Sequence, residues 1–292
     1  MRIAIYSTEV KDEHIQIYKR IFNFFDAHQI EYFIFEGVKN HIINWLDLSA
    51  DLKTFNDKTD KNFSADFILS VGGDGTFLSA VTFAFEKSVP IAGINCGRLG
   101  FLAEITPEDL EESLNQLVNS EYEIEYRSLL KLIEPSTLFE DFNYAMNELT
   151  VHKLDNSSMI RIETFINGEF LANYWADGLI VSTPTGSTAY SLSVGGPIVT
   201  PNVSGLIITP IASHHLTVRP IVVPDDVEIE LRIDGRGHQF LLSIDHHSSP
   251  LDFSSSIKIR KADKMVPVVK FNGQSFYSTL RNKLMWGADK RN

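Results

Sequence analysis

The chain has 292 residues, 43% hydrophobic and 22% charged, with a net charge of −12. This is the composition of a globular protein long enough for one large or two ordinary domains. The acidic balance speaks against nucleic-acid or anionic-membrane partners, the single cysteine, Cys96, excludes an internal disulfide framework, and no run approaches the roughly 18 apolar residues of a membrane span.

Residues 2–6 alternate and read as a first strand rather than a signal segment, so a cytoplasmic protein is expected. Ile15, Tyr18, Ile21, Phe22 and Phe25 recur at helical spacing and predict an amphipathic helix over 11–28. A strand at 32–35 follows, then a polar, mixed stretch at 47–65 that reads as a loop or irregular insertion. The apolar run 67–71 predicts a strand, Phe77, Ala80, Phe83 and Ala84 a helix, and 90–94 another strand. Strands alternating with helices indicate a mostly parallel α/β sheet, whose ligands bind outside the carboxyl ends of the strands, where 72–76 and 95–100 both fall. After a helix at 109–118 the pattern changes. Strand-like runs follow at 124–133, 142–151, 161–166, 170–176, 178–182, 227–233, 240–244, 256–262 and 267–271. Asn167-Gly168 and Asp234-Gly235 read as hairpin turns between them, and so many short strands indicate an antiparallel sandwich. A last helix at 275–286 is expected to pack back on the first domain. The basic runs 258–264 and 281–291 read as solvated ends. The predicted organisation is thus an α/β domain over 1–120, a β-sandwich domain over 121–273 and a returning segment over 274–292.

Four stretches carry chemistry. The first is Gly72-Gly73-Asp74-Gly75-Thr76, between an apolar strand and a helix start. Glycines there let backbone N–H groups approach an anion, as at a phosphate loop. No lysine follows in the Walker position, and Leu78 stands where a Rossmann fingerprint needs its last glycine. Asp74 is the odd member, because a bare carboxylate repels phosphate. It points to a metal partner or a hydroxyl to be deprotonated, and the plain alternative is an N-cap. The second stretch runs from Gly93 to Leu102 and includes Asn95, Gly97 and Gly100. The third is Asn147-Glu148, whose two side chains can meet one ligand only at a strand end or bulge. The fourth runs from Asp177 to Pro197, with seven serine and threonine hydroxyls between 182 and 193. Hydroxyls donate and accept without charge, which suits a polyhydroxylated phosphorylated ligand, and Tyr190 offers an aromatic face for a base. The pairs His214-His215 and His246-His247 do not read as metal sites, since strand neighbours face opposite ways.

Together these stretches, with Phe276-Tyr277-x-Thr279-Leu280-x-x-Lys283-Leu284-x-Trp286, resemble the NAD kinase family over most of the chain. The Gly-Gly-Asp-Gly loop is shared with lipid and sugar kinases, whereas the block from Asp177 to Pro197 is specific. The resemblance implies an α/β domain beside a β-sandwich, NAD held between them, and the reaction of ATP with NAD to ADP and NADP. It implies that Asp74 faces the ribose 2′-hydroxyl as proton acceptor and that Gly72, Gly73, Gly75 and Thr76 form the phosphate loop. Asp74 and Gly75 would line the dinucleotide site. Asn147 and Glu148 would contact nicotinamide-side groups or metal-linked phosphates, and Asp177 polar groups of the dinucleotide, often across a subunit contact. Thr188, Ala189, Tyr190, Ser191, Leu192 and Ser193 would wrap the adenine and ribose. A divalent metal cation, Mg²⁺, would accompany ATP, no residue being assigned as its ligand, and the protein would be a homo-oligomer built through its β domains. Trp175 and His247 depart from the pattern of enterobacterial members, at positions commonly basic and glutamine.

An ordinary carboxylate, pKa roughly 4, is a weak base for a sugar hydroxyl of pKa roughly 12, so full deprotonation before attack would cost about 11 kcal/mol. Phosphoryl transfer has a loose transition state, so Asp74 orients the hydroxyl and accepts its proton late. Two rival readings share these residues: a diacylglycerol or sphingoid lipid kinase with the same glycine loop, and a dinucleotide-binding sensor without turnover.

Overall fold

The computed structural model describes residues 1–46, 52–56, 64–97, 99–139, 142–154 and 159–287. Much of the expected loop at 47–65, Arg98 of the second glycine-rich stretch, and the end of the chain after 287 lie outside the described residues.

The chain divides into two compact units, Met1–Tyr126 with Val266–Asn292, and Arg127–Met265. The first begins β1 (Arg2–Tyr6), α1 (Ile15–Ala27), β2 (Glu31–Phe35), α2 (Glu36–Leu46), β3 (Thr54–Phe55). It continues β4 (Phe67–Gly72), α3 (Asp74–Lys87), β5 (Ile91–Asn95), α4 (Leu110–Asn119) and β6 (Tyr122–Arg127). The second unit holds β7 (Leu130–Glu134), β8 (Tyr144–Ala145), β9 (Glu148–Lys153), β10 (Ile160–Ile166), β11 (Glu169–Ala176) and β12 (Gly178–Ser182). The four-residue α5 (Tyr190–Ser193) precedes β13 (Leu206–Ile211), β14 (Ile221–Val223), β15 (Ile229–Asp234), β16 (Gln239–Ile244), β17 (His247–Asp252) and β18 (Ser256–Lys261). The chain then returns through β19 (Val266–Phe271) and α6 (Phe276–Leu284).

In the first unit the sheet order is β3-β2-β1-β4-β5-β19-β6, with β1, β2, β3, β4, β5 and β19 paired in parallel. The chain winds one way from β1 to β2 and β3, and the other way from β4 to β5, so the order reverses between β1 and β4. Ligands of doubly wound sheets bind at that reversal. The sheet is lined with fully buried side chains such as Ile3, Ile5, Leu69 and Ile94. Helix α1 covers it with Tyr18, Ile21 and Phe25, the residues whose spacing predicts the helix.

The second unit contains two six-stranded antiparallel sheets, β11-β10-β15-β18-β7-β8 and β14-β13-β12-β9-β16-β17. Their facing residues, among them Leu132, Val151, Ile162, Val181, Leu231, Phe240 and Ile259, form one apolar cluster. This is the sandwich expected from the strand-rich sequence.

Three local expectations differ. The run at 124–133 is not one strand. It divides into β6, in the parallel sheet, and β7, in the sandwich, and β19 likewise joins the parallel sheet beside β5. The region read as a β domain over 121–273 therefore yields both of its ends to the first sheet. Asn167-Gly168 does turn a hairpin, with φ of 51° and 80°, between paired β10 and β11. Asp234-Gly235 does not. It carries the chain from β15 in one sheet to β16 in the other. A Cβ on Gly235 would stand 2.9 Å from the Phe253 ring, so its glycine serves close packing at the crossing.

Candidate active site

In the first unit β4 and β5 run side by side until Gly72 pairs with Asn95, and the Cys96 N–H donates to the Gly72 carbonyl at 3.0 Å. The two glycine-rich stretches thus leave the sheet together. The chain after β1 joins them: Ser7 Oγ donates to the Val71 carbonyl at 2.8 Å, and Thr8 and Thr76 share a hydroxyl bond of 3.1 Å. Gly73 is the N-cap of α3 and Asp74 its first residue, so the N-cap reading of Asp74 does not hold. Its carboxylate instead reaches the chain beyond β5. Oδ2 accepts from the Phe101 N–H at 2.9 Å, and Oδ1 from the Leu102 and Ala103 N–H groups at 3.0 Å each. Gly100 makes this seat possible, because a Cβ there would stand 1.9 Å from Oδ1. Lys283 Nζ, from α6, lies 3.6 Å from Oδ2. The Cβ positions of Gly73 and Gly75 face open space. Cys96 is a packing residue, its thiol pushed up to about 12 by burial.

In the second unit Asn147 immediately precedes β9 and Glu148 opens it, the strand end that lets adjacent side chains serve one ligand. Asp245 holds this end. It sits in the two-residue turn between β16 and β17 with φ 48°, and its carboxylate accepts from the N–H groups of Met146, Asn147 and Glu148 at 2.8, 2.9 and 3.1 Å. Its own N–H donates to the Glu148 carbonyl at 3.0 Å. From the other side Thr183 donates its N–H to the Asn147 carbonyl and its hydroxyl to the Met146 carbonyl, at 2.9 and 2.6 Å. Gly186 lies so close that a Cβ would stand 2.1 Å from the Asn147 carbonyl oxygen.

This frame burdens its carboxylates. Burial, then the charge of Asp245, pushes Glu148 up to about 8, against a hydrogen bond from the Tyr190 backbone. Glu148 Oε2 is buried with no hydrogen-bond partner among the described residues. Burial lifts Asp245 to about 6 although its three backbone donors favour the ionised form. Burial, and then His247, lowers His246.

Asp177 pairs with Lys153 Nζ at 2.6 Å. The hydroxyls expected to face a ligand are largely spent on the protein itself. Ser182, Thr183, Thr185, Ser187 and Ser191 are buried. Ser187 bridges the Val199 backbone and Ser191 shares a 3.0 Å bond with Thr209. The turn bends too tightly for a strand ladder, so side-chain oxygens satisfy its backbone. Tyr190 and Ser193 are exposed, while Thr188, Ala189 and Leu192 are half-buried. The residues that sequence reading missed are Asp245, which looks like an ordinary hairpin aspartate, and Lys283, which belongs to a quoted motif but received no role.

A doubly wound sheet with a glycine loop and helix N-terminus at its reversal defines a nucleotide- or phosphate-handling protein. Residues 9–122 match the ATP-NAD kinase N-terminal domain and residues 146–271 the ATP-NAD kinase C-terminal domain. An NAD kinase of Flavobacterium johnsoniae is 47% identical over 294 residues, covering 100% of both chains, and one of Cytophaga hutchinsonii is 42% identical over 293 residues with the same coverage. The chain belongs to the NAD kinase family, and it is a kinase that phosphorylates NAD with ATP rather than a lipid kinase. Among solved structures, an NAD kinase from Archaeoglobus fulgidus in complex with ATP aligns with a TM-score of 0.73 and 28% identity, over 98% of this chain and 99% of that one. A yeast NADH kinase complexed with NADH shares the fold, with a TM-score of 0.85 at 23% identity over 99% and 89% of the two chains.

Proposed function

We propose that Asp74 is the proton acceptor when the protein phosphorylates the 2′-hydroxyl of the adenosine ribose of NAD. The observation that carries this reading is the seat of its carboxylate. Three backbone donors fix both oxygens, and of about four lone-pair directions one on Oδ2 is left for a substrate hydroxyl. In the step itself the bond from the γ-phosphorus to the bridging oxygen of ATP breaks and a bond to the ribose oxygen forms. ADP leaves with the bridging oxygen, and the hydroxyl proton passes to Asp74. The loop of Gly72, Gly73, Gly75 and Thr76 takes the phosphates.

Asp74 is the carboxylate of that loop and is already engaged with backbone, so the divalent cation, Mg²⁺ in this reading, enters as part of the substrate on the triphosphate, whose charge it offsets. Asn147 and Glu148, set at a strand end, hold polar groups of the dinucleotide, with Asp177 and the chain from Thr188 to Ser193 beside it. A homo-oligomer fits the exposed apolar side chains Phe170 and Trp175 on edge strand β11 and Ile221 and Val222 on edge strand β14.

The test is NADP formation from NAD and Mg-ATP by the wild type and Asp74→Asn. We expect kcat to fall about 1,000-fold or more with NAD binding retained. Undiminished turnover in the variant overturns the role of Asp74.

A further inference from the structure

Asp74 poses an electrostatic difficulty that its backbone donors do not remove: a carboxylate stands where an anionic triphosphate must come close. We infer that Lys283 is the positioning residue that resolves it, pairing with Asp74 and offsetting the carboxylate's charge beside a phosphate loop that has no Walker lysine. This inference rests on the assignment of Asp74 made above.

Lys283 Nζ lies 3.6 Å from Asp74 Oδ2 and 4.6 Å from the centre of the Phe101 ring, whose own N–H donates to the same oxygen. Ammonium and amide thus meet at one carboxylate oxygen, and the Phe101 ring lies against the ammonium. The separation from Oδ2 is longer than a hydrogen bond, so the ammonium holds the carboxylate by charge and keeps its donors for other acceptors. A lysine in the last turn of a helix also complements the helix dipole, and Arg281 does so in the same turn. The dipole does not account for the direction Lys283 takes, across to the loop after β5.

Its placement is built into the fold. Helix α6 opens with a reciprocal cap between Ser275 and Ser278, with bonds of 3.1 Å each way. Thr279, buried, donates to Glu104 Oε1 at 3.0 Å, and Phe276 packs on Phe101 with ring centroids 6.3 Å apart. Residue 101 belongs to the stretch that clamps Asp74, and residue 104 follows it directly. Docking of α6 and seating of Asp74 therefore share one surface, and Lys283 is delivered where the two meet. The last element of the chain completes the site that the first glycine loop begins.

The test compares kcat and KM for ATP and NAD in the wild type, Lys283→Met, Lys283→Arg, Asp74→Asn and the double variant Asp74→Asn/Lys283→Met, with thermal midpoints for each. Lys283→Met is expected to lower kcat about 30-fold and to leave KM for NAD within about twofold, because the lost charge acts on transfer rather than on dinucleotide binding. Lys283→Arg is expected to recover most of kcat. In the Asp74→Asn background the lysine substitution should cost less than about twofold, since the two groups act as a unit. Lys283→Met within twofold of wild type, beside a collapsed Asp74→Asn, overturns this inference alone. So does an equal loss in both backgrounds, or a loss that Lys283→Arg does not recover. Full activity of Asp74→Asn overturns the parent assignment instead.

Discussion

The two units each contain an aspartate that does the same unusual thing. Asp74 accepts from three consecutive backbone N–H groups, at 101–103, and Asp245 from three more, at 146–148. Each captured segment also depends on a glycine, Gly100 against Asp74 itself and Gly186 against the carbonyl of Asn147. What surrounds the carboxylates differs. Asp74 stands in an open glycine loop with an ammonium beside it, whereas Asp245 is enclosed by a hairpin turn with another carboxylate, Glu148, for a neighbour. One hydrogen-bond device thus serves two ends. Where the carboxylate stands in an open glycine loop with a cation beside it, it can act on substrate. Where it stands in a hairpin turn beside another carboxylate, it holds backbone, and here it holds the two residues expected to grip NAD.

Damage to the two seats therefore separates in the kinetics. Gly100→Ala is the harshest probe, because the methyl would overlap Asp74 Oδ1 and the carboxylate must move. A displacement of about 1 Å in a catalytic group can cost on the order of 100-fold, so we expect kcat to fall at least that far while KM for NAD changes little. Activity within tenfold of wild type shows that the seat does not set the position of Asp74. Asp245→Ala makes the opposite expectation. Three N–H groups lose a charged acceptor, at about 1 kcal/mol or more apiece, for a destabilisation of about 3 kcal/mol. KM for NAD should rise about tenfold with kcat less affected. A variant that loses kcat alone breaks the comparison, since Asp245 would then be acting as Asp74 does.

How visible each seat was in the sequence follows from its physics. Asp74 stands out as a candidate because glycines flank it after an apolar run, although that local signal alone fits a plain capped turn equally well. The helix at α1 and the alternating strands β10 and β15 were legible for the same local reason, a period that a single face imposes. Asp245 was not, because its partners lie about a hundred residues away and its own surroundings are those of any hairpin. Strand β17, His247–Asp252, carries proline and serines on an edge and shows no alternation of apolar residues, while β13, Leu206–Ile211, is buried throughout and shows none either. The crossing at Asp234-Gly235 read as a hairpin because turn chemistry reports a reversal of direction, not the sheet that receives the next strand. The hydroxyls of 182–193 signalled an unusual turn, and their internal bonds show that much of that signal is structural.

The smallest effect bears on the Asp245 site alone. Glu148, with an ordinary value of 4.5, is pushed up to about 8 by burial and then by Asp245, so the folded protein binds its proton more tightly than the unfolded chain does. The protonated form therefore contributes stability in full below about pH 4.5, and that contribution is lost as pH rises through about 8. Asp245 works in the same direction over a lower window, between 3.8 and about 6. Above pH 6.5 Glu148 is the one of the pair still titrating. The thermal midpoint of the ligand-free protein should fall between pH 6.5 and 8.5, by roughly 4 °C for a cost of about 1 to 2 kcal/mol once solvent screening at a half-buried residue is allowed for. Glu148→Gln, neutral at every pH, should remove most of that fall and leave any change below pH 6 in place. A fall of the same size in the variant would show that Glu148 is already ionised at neutral pH. The contrast between the two aspartate seats would then be sharper, with a cation beside Asp74 and an anion beside Asp245.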